Sequence, residues 1–143
     1  MLVLSVVWVA CKKSKSNTPD PVIARGVSAK INGVLWTTNV TSVTSITGIG
    51  STENYVDITA YDTAGRTIDL RINNFKTRGT FHVPQANDSA FYSTDYGALI
   101  SPSAATSGTI AIQIVNDTAV GGTFSFTVPG GITVTEGTFN VNF

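Results

Sequence analysis

Two stretches of this chain alternate between apolar and polar residues, and the turn between them allows one pairing. In Tyr55-Val56-Asp57-Ile58-Thr59-Ala60-Tyr61 and Thr67-Ile68-Asp69-Leu70-Arg71-Ile72 the even positions are aliphatic. A period of two marks a strand with one buried face. Between them lies Asp62-Thr63-Ala64-Gly65-Arg66, a turn sequence with glycine late in the loop. Setting Asp62 opposite Arg66 leaves a three-residue loop in which Gly65 takes the left-handed conformation. Ile58 then faces Leu70, Val56 faces Ile72 and Ala60 faces Ile68, while Asp57 faces Arg71 and Thr59 faces Asp69. A four-residue loop would put Val56 opposite Arg71 and mix the two faces. The register predicts Asp57 and Arg71 as an exposed cross-strand ion pair, contributing at most about 1 kcal/mol.

The C-terminal third repeats the pattern. Ile110, Ile112 and Ile114 alternate with Thr109, Ala111 and Gln113, and Phe124, Phe126 and Val128 alternate with Thr123, Ser125 and Thr127. Reading Asp117–Gly121 as the loop sets Ile114 opposite Phe124, Ile112 opposite Phe126 and Ile110 opposite Val128. Pro129-Gly130-Gly131 turns the chain into a last strand. There the apolar parity changes from even, at Ile132 and Val134, to odd, at Phe139, Val141 and Phe143. One parity change needs one extra residue, which places a β-bulge at Glu136-Gly137. A phrase of glycine, threonine, apolar, polar or small, apolar recurs at Gly79, Gly108, Gly122 and Gly137. The spacings of 29, 14 and 15 are too uneven for a solenoid or propeller. The phrases read as strand starts in one sheet system.

The strand formers Thr, Val and Ile are abundant and Leu, Glu and Lys are sparse. At 143 residues the chain has room for one domain. We expect an all-β fold: an antiparallel β-sandwich or flattened barrel of about eight to ten strands, built mostly from sequential hairpins. The alternative is an eight-stranded calycin-like barrel with an internal cavity. Nine basic and nine acidic residues give no net charge, which argues against a nucleic-acid binder. One cysteine and one histidine exclude a disulfide framework and most zinc sites.

Leu2–Ala10 is an apolar run broken only by Ser5, too short to cross a bilayer but of signal-peptide length. The run ends in the small residue Ala10 and Cys11 follows it, in the manner of a bacterial lipobox, which this segment resembles. The resemblance implies that Cys11 is lipidated, cleaved before and N-acylated, so that several acyl chains hold the protein to a membrane. Trp8 stands where lipoboxes usually carry Leu, and no basic residue precedes the run. We expect a few basic residues upstream of Met1. Residues 11–26 read as a lipidated tether rich in Lys, Ser and Pro, able to extend roughly 50 Å. The domain then occupies 27–143, with five basic and eight acidic residues for a net charge of −3.

Residues that carry chemistry are scarce. His82 is the sole imidazole and points away from the face shared by Phe81 and Val83. No G-x-S-x-G elbow, calcium loop or phosphate-cradling glycine loop is present. Asp57, Asp62 and Asp69 are separated along one hairpin, and glutamate is limited to Glu53 and Glu136. We expect no catalytic residues, no cofactor and no metal, and therefore not an enzyme. The candidate ligand residues are aromatic: Tyr55 and Tyr61 on the polar face of their strand, and Tyr92 and Tyr96 in an aromatic-polar segment. Rings beside Asp, Asn and Thr suit a sugar, stacking on its apolar face and bonding its hydroxyls. The competing reading is that these tyrosines cover strand edges or cap the core with their hydroxyls wet. Trp36 reads as a core anchor.

Val27-Ser28-Ala29-Lys30-Ile31-Asn32-Gly33-Val34-Leu35-Trp36, the Gly-Thr-Phe phrases and the ending Thr135–Phe143 resemble a family of small secreted lipoproteins from Bacteroidota, known as a domain of unknown function. The resemblance spans most of Val27–Phe143 plus the Cys-Lys-Lys start. It implies anchoring at the outer membrane and carries no catalytic residues. Whether the domain faces the periplasm or the medium stays open, since no acidic run follows Cys11. Asp62-Thr63-Ala64, Asp117-Thr118-Ala119 and Asp88-Ser89-Ala90 resemble O-glycosylation acceptors of the same bacteria, which marks Thr63, Thr118 and Ser89; Asp-Thr is equally common turn chemistry. Two functions follow as expectations: an envelope lipoprotein whose non-enzymatic domain binds a partner or joins an assembly, or a carbohydrate-binding module.

Overall fold

The alternating stretches become strands. A computed structural model describes residues 19, 21–38, 43–47, 55–73, 77–85, 87–94, 102–116 and 118–142. The Leu2–Ala10 run, Cys11, most of the tether, Tyr96 and Asp117 lie outside the described residues. Among the described residues there are eleven strands and no helix. They are β1 (Gly26–Ile31), β2 (Val34–Thr37), β3 (Val43–Thr47), β4 (Tyr55–Tyr61), β5 (Thr67–Asn73) and β6 (Gly79–His82). After them come β7 (Ser89–Ser93), the two-residue β8 (Ser103–Ala104), β9 (Ser107–Val115), β10 (Ala119–Val128) and β11 (Ile132–Asn142).

The strands form two antiparallel sheets, ordered β2-β1-β11-β10-β9-β6 and β3-β4-β5-β7-β8. Neither closes on itself, so the architecture is a sandwich and the barrel is excluded. The inner faces meet in one core. The six-stranded sheet contributes Val27, Ala29, Trp36, Phe124, Phe126 and Phe139 among others, and the five-stranded sheet Val56, Ile58, Ile68, Leu70, Ile72 and Tyr92. Trp36, 1% exposed, is the core anchor its sequence position suggests. Not every connection is a hairpin: the chain changes sheet after β2, β5, β6 and β8. β1 lies beside β11, where Ser28 Oγ and Thr138 Oγ1 share a hydrogen bond of 2.8 Å.

The β4–β5 hairpin has the register expected of it. Asp57 pairs with Arg71, Ile58 with Leu70 and Ala60 with Ile68. The Asp62 N–H donates to the Arg66 carbonyl (3.0 Å), and Gly65 has φ +83°. Asp62 also organises the loop, its Oδ1 accepting from the backbone N–H of Ala64 (3.0 Å) and Arg66 (2.9 Å).

The β9–β10 hairpin corrects the sequence reading. Phe124 lies opposite Ile110 and Phe126 opposite Gly108, not opposite Ile114 and Ile112. The loop is shorter than Asp117–Gly121: the Asn116 N–H already donates to the Ala119 carbonyl (3.1 Å), and Gly121 and Gly122 lie inside β10. Asn116 closes this turn by accepting from the N–H of Thr118 (3.0 Å). A one-residue slip on β9 between Ile112 and Ile114 absorbs the parity difference.

Those glycines serve packing. The phrases on β10 and β11 run antiparallel in register, so Gly122 sits opposite Phe139, Thr123 opposite Thr138 and Phe124 opposite Gly137. A Cβ at Gly137 would stand 2.5 Å from the Phe124 ring, and one at Gly122 would overlap the Ala111 carbonyl oxygen and come within 3.0 Å of Phe139 Cζ. Each ring occupies the space that the opposing glycine leaves. Phe124 thereby lies between Phe126 and Phe139, with ring centroids 6.2 and 6.4 Å away. All four phrases do fall in one sheet, but only Gly79 begins a strand. The bulge is where parity put it. β1 and β10 both slip by one residue against β11 between Val134 and Thr138, and Glu136 has φ +49° with its carboxylate 2.8 Å from Lys30 Nζ.

Candidate functional site on the outer face of the five-stranded sheet

Alternation that buries the even positions of β4 and β5 presents their odd positions outward. Tyr55, Asp57, Thr59 and Tyr61 stand beside Asn73, Arg71, Asp69 and Thr67 in that order. β7 extends the face, with Ser93 opposite Thr67, Phe91 opposite Asp69 and Ser89 opposite Arg71. Rings therefore flank a charged centre on both the β4 and the β7 side.

At the centre, Arg71 donates from Nε (3.0 Å) and Nη2 (2.7 Å) to Asp57 Oδ2. The pair is only partly wet, with side-chain exposures of 46% for Arg71 and 22% for Asp57. The hydrogen bonds that Arg71 donates to Asp57 raise the guanidinium above its ordinary value. Asp69 sits one rung away, diagonal to Asp57 and two residues before Arg71. Its Oδ1 is buried without a hydrogen-bond partner. Burial first, and then the negative charge of Asp57, push the Asp69 carboxyl from 3.8 to about 6, although Arg71 pulls the other way. The sequence reading kept Asp57, Asp62 and Asp69 apart; the structure brings Asp57 and Asp69 together. The predicted register already held this, since Asp57 opposite Arg71 makes Asp69 its diagonal neighbour. Phe91 was missed because nothing local says that β7 lies beside β5.

Asp62 belongs to the hairpin end. Its side chain is 7% exposed and its Oδ2 stands 2.6 Å from Arg66 Nη2. Tyr92 is not on the outer face. It pairs with Ile68, shares that residue's inward direction and is 5% exposed. One residue of parity separates it from Phe91, which takes the outward position. Burial raises the Tyr92 phenol, with the Arg66 charge opposing and that of Asp62 reinforcing. Of the four candidate tyrosines, then, Tyr55 and Tyr61 share a face, Tyr92 is in the core and Tyr96 lies outside the described residues.

His82 is exposed on β6, opposite Thr109 in the other sheet, away from Asp57 and Asp69. Thr63 and Thr118 are exposed at hairpin tips, Thr118 Oγ1 being 3.2 Å from Asn116 Oδ1. Ser89 is half-buried in β7. Among the described residues no group of three His, Cys, Asp or Glu side chains converges as metal ligands do. Compared with models of protein families, with curated proteins and with solved structures, the chain finds no match in any of the three.

Proposed function

We propose that this protein is a lipid-anchored component of a bacterial cell envelope, held to the outer membrane through Cys11, whose β-sandwich binds a partner without catalysis. The outer face of the five-stranded sheet is the binding surface. The observation that carries the reading is the composition of that face, where Tyr55, Tyr61 and Phe91 surround Asp57, Asp69 and Arg71. Aromatic rings beside polar groups with hydrogen-bonding capacity supply both contact area and orientation. The anchor is supported by the apolar run, Ala10 and the basic tether. Its test is incorporation of labelled palmitate, which Cys11→Ala should abolish; label retained in that variant overturns the anchor.

A glycan is the second reading for the partner, favoured by Tyr55 and Tyr61 standing on one face with Asp57 and Thr59 between them. A glycan array probed with the purified protein separates the readings. Binding that is lost in Tyr55→Ala and Tyr61→Ala supports a glycan ligand, and a blank array supports a protein partner. Tyr92→Ala is uninformative for this purpose, because it opens a hole in the core.

A further inference from the structure

We propose that Asp57, Asp69 and Arg71 form a proton-operated switch on the outer face of the five-stranded sheet, in which a proton on Asp69 decides whether Arg71 serves one carboxylate or two. The proposal stands apart from the identity of any ligand. Its basis is a mismatch in numbers. Two carboxylates share this part of the face with one guanidinium, and both Arg71 contacts go to a single oxygen of Asp57. Asp69 is left with a buried oxygen that nothing bonds. An ionised carboxylate in that position is costly, whereas a protonated one is neutral and can donate to Asp57.

Among the described strands, the groups that face Asp69 are few. Asp57 and Tyr61 approach from β4, and Arg71 stands on β5 itself. β7 presents Ser89, Phe91 and Ser93, none charged. β3 and β8 contain no titratable residue. Arg71 is thus the one cation these elements offer.

With Asp69 protonated, the cluster holds one negative and one positive charge. Loss of the proton leaves a second carboxylate whose free oxygen attracts Arg71. Two positions away along the same face of the strand, the guanidinium can reach it by changing rotamer. Because the folded chain keeps its proton to about pH 6 and an unfolded aspartate only to about 3.8, the folded state holds the extra proton between those values. Its contribution to stability is complete below about pH 4 and is lost as pH rises through about 6. As pH rises through about 6 the face gains one negative charge, and any partner that reads its charge will distinguish the two states.

Carboxyl-carbon and guanidinium-nitrogen NMR of the full-length chain, titrated from pH 3 to 8, tests this. Asp69 should titrate near pH 6, and the Arg71 Nε signal should move with the same midpoint. Asp69→Asn should abolish the Arg71 transition, and Asp57→Asn should shift the Asp69 midpoint downward. An Asp69 midpoint near 4 overturns the proposal, as does an Arg71 signal that stays flat through the Asp69 transition. Should either variant fail to fold, the wild-type titration alone decides.

Discussion

The β4–β5 and β9–β10 hairpins alternate in the same way along the sequence, yet only the first folds in the register that its alternation suggests. The difference lies in where glycine stands. In β4–β5 one glycine falls between the alternating stretches, and there it takes φ +83° in the loop. In β9–β10 two glycines fall at the same kind of place but lie within the strand. A glycine after a polar stretch reads as loop because loops need its conformational freedom. In β10 it is required for the opposite reason: the strand needs a position with no side chain, where Phe139 and the Ala111 carbonyl close in.

Phe139→Ala should show the largest effect on that comparison. The ring is fully buried opposite Gly122 and beside Phe124. Its removal leaves a cavity against a residue that cannot fill it, and should cost about 4 kcal/mol in denaturant unfolding. A loss below 1 kcal/mol would mean that the ring does not occupy the space over Gly122.

Gly122→Ala follows, at about 3 kcal/mol, because the added methyl meets backbone that cannot move without breaking the ladder. Under the register of an Asp117–Gly121 loop, Gly122 would stand opposite Asn116 at the hairpin end, and the same substitution would be nearly neutral. Unfolding measurements on this one variant therefore decide between the two registers of β10.

What could be read from the sequence follows contact distance along the chain. The β4–β5 register, its Asp57–Arg71 pair and the Glu136–Gly137 bulge rest on parity within a few residues, and the structure has them. The pairing of β1 with β11 joins residues as far apart as Ser28 and Thr138, and no local pattern announces it. Nor does any local pattern announce that β6 leaves for the other sheet, which lets β7 lie beside β5. The candidate site divides the same way. The alternation of β4 and β5 alone sets Tyr55, Asp57, Tyr61 and Arg71 on one face. Phe91 is placed on that face, and Tyr92 of the aromatic-polar segment in the core, only by the pairing of β7 with β5.

Gly65→Val probes the other hairpin. A β-branched residue at φ +83° is strained by the backbone conformation itself, so the expected cost is about 1–2 kcal/mol, less than for Gly122→Ala. Gly65→Asn, which tolerates the left-handed region, should recover most of it. If valine at position 65 proves the more harmful change, conformational freedom outweighs close packing in this fold and the contrast between the hairpins is reversed.

Asp57→Ala should be the mildest of the four, below about 1 kcal/mol, since the Arg71 pair it breaks is partly solvated. Its pH dependence is more informative than its size. At pH 5 Asp69 holds its proton, and removing Asp57 simply deprives Arg71 of its partner. At pH 7 Asp69 is ionised beside Asp57 in the wild type, and the substitution removes that repulsion while freeing Arg71 for Asp69. The two effects oppose one another, so the destabilisation should be smaller at pH 7 than at pH 5. Denaturant unfolding at both values measures it. Equal costs would show that Asp57 and Asp69 do not interact, and the outer face would then hold a simple ion pair beside an independent carboxylate.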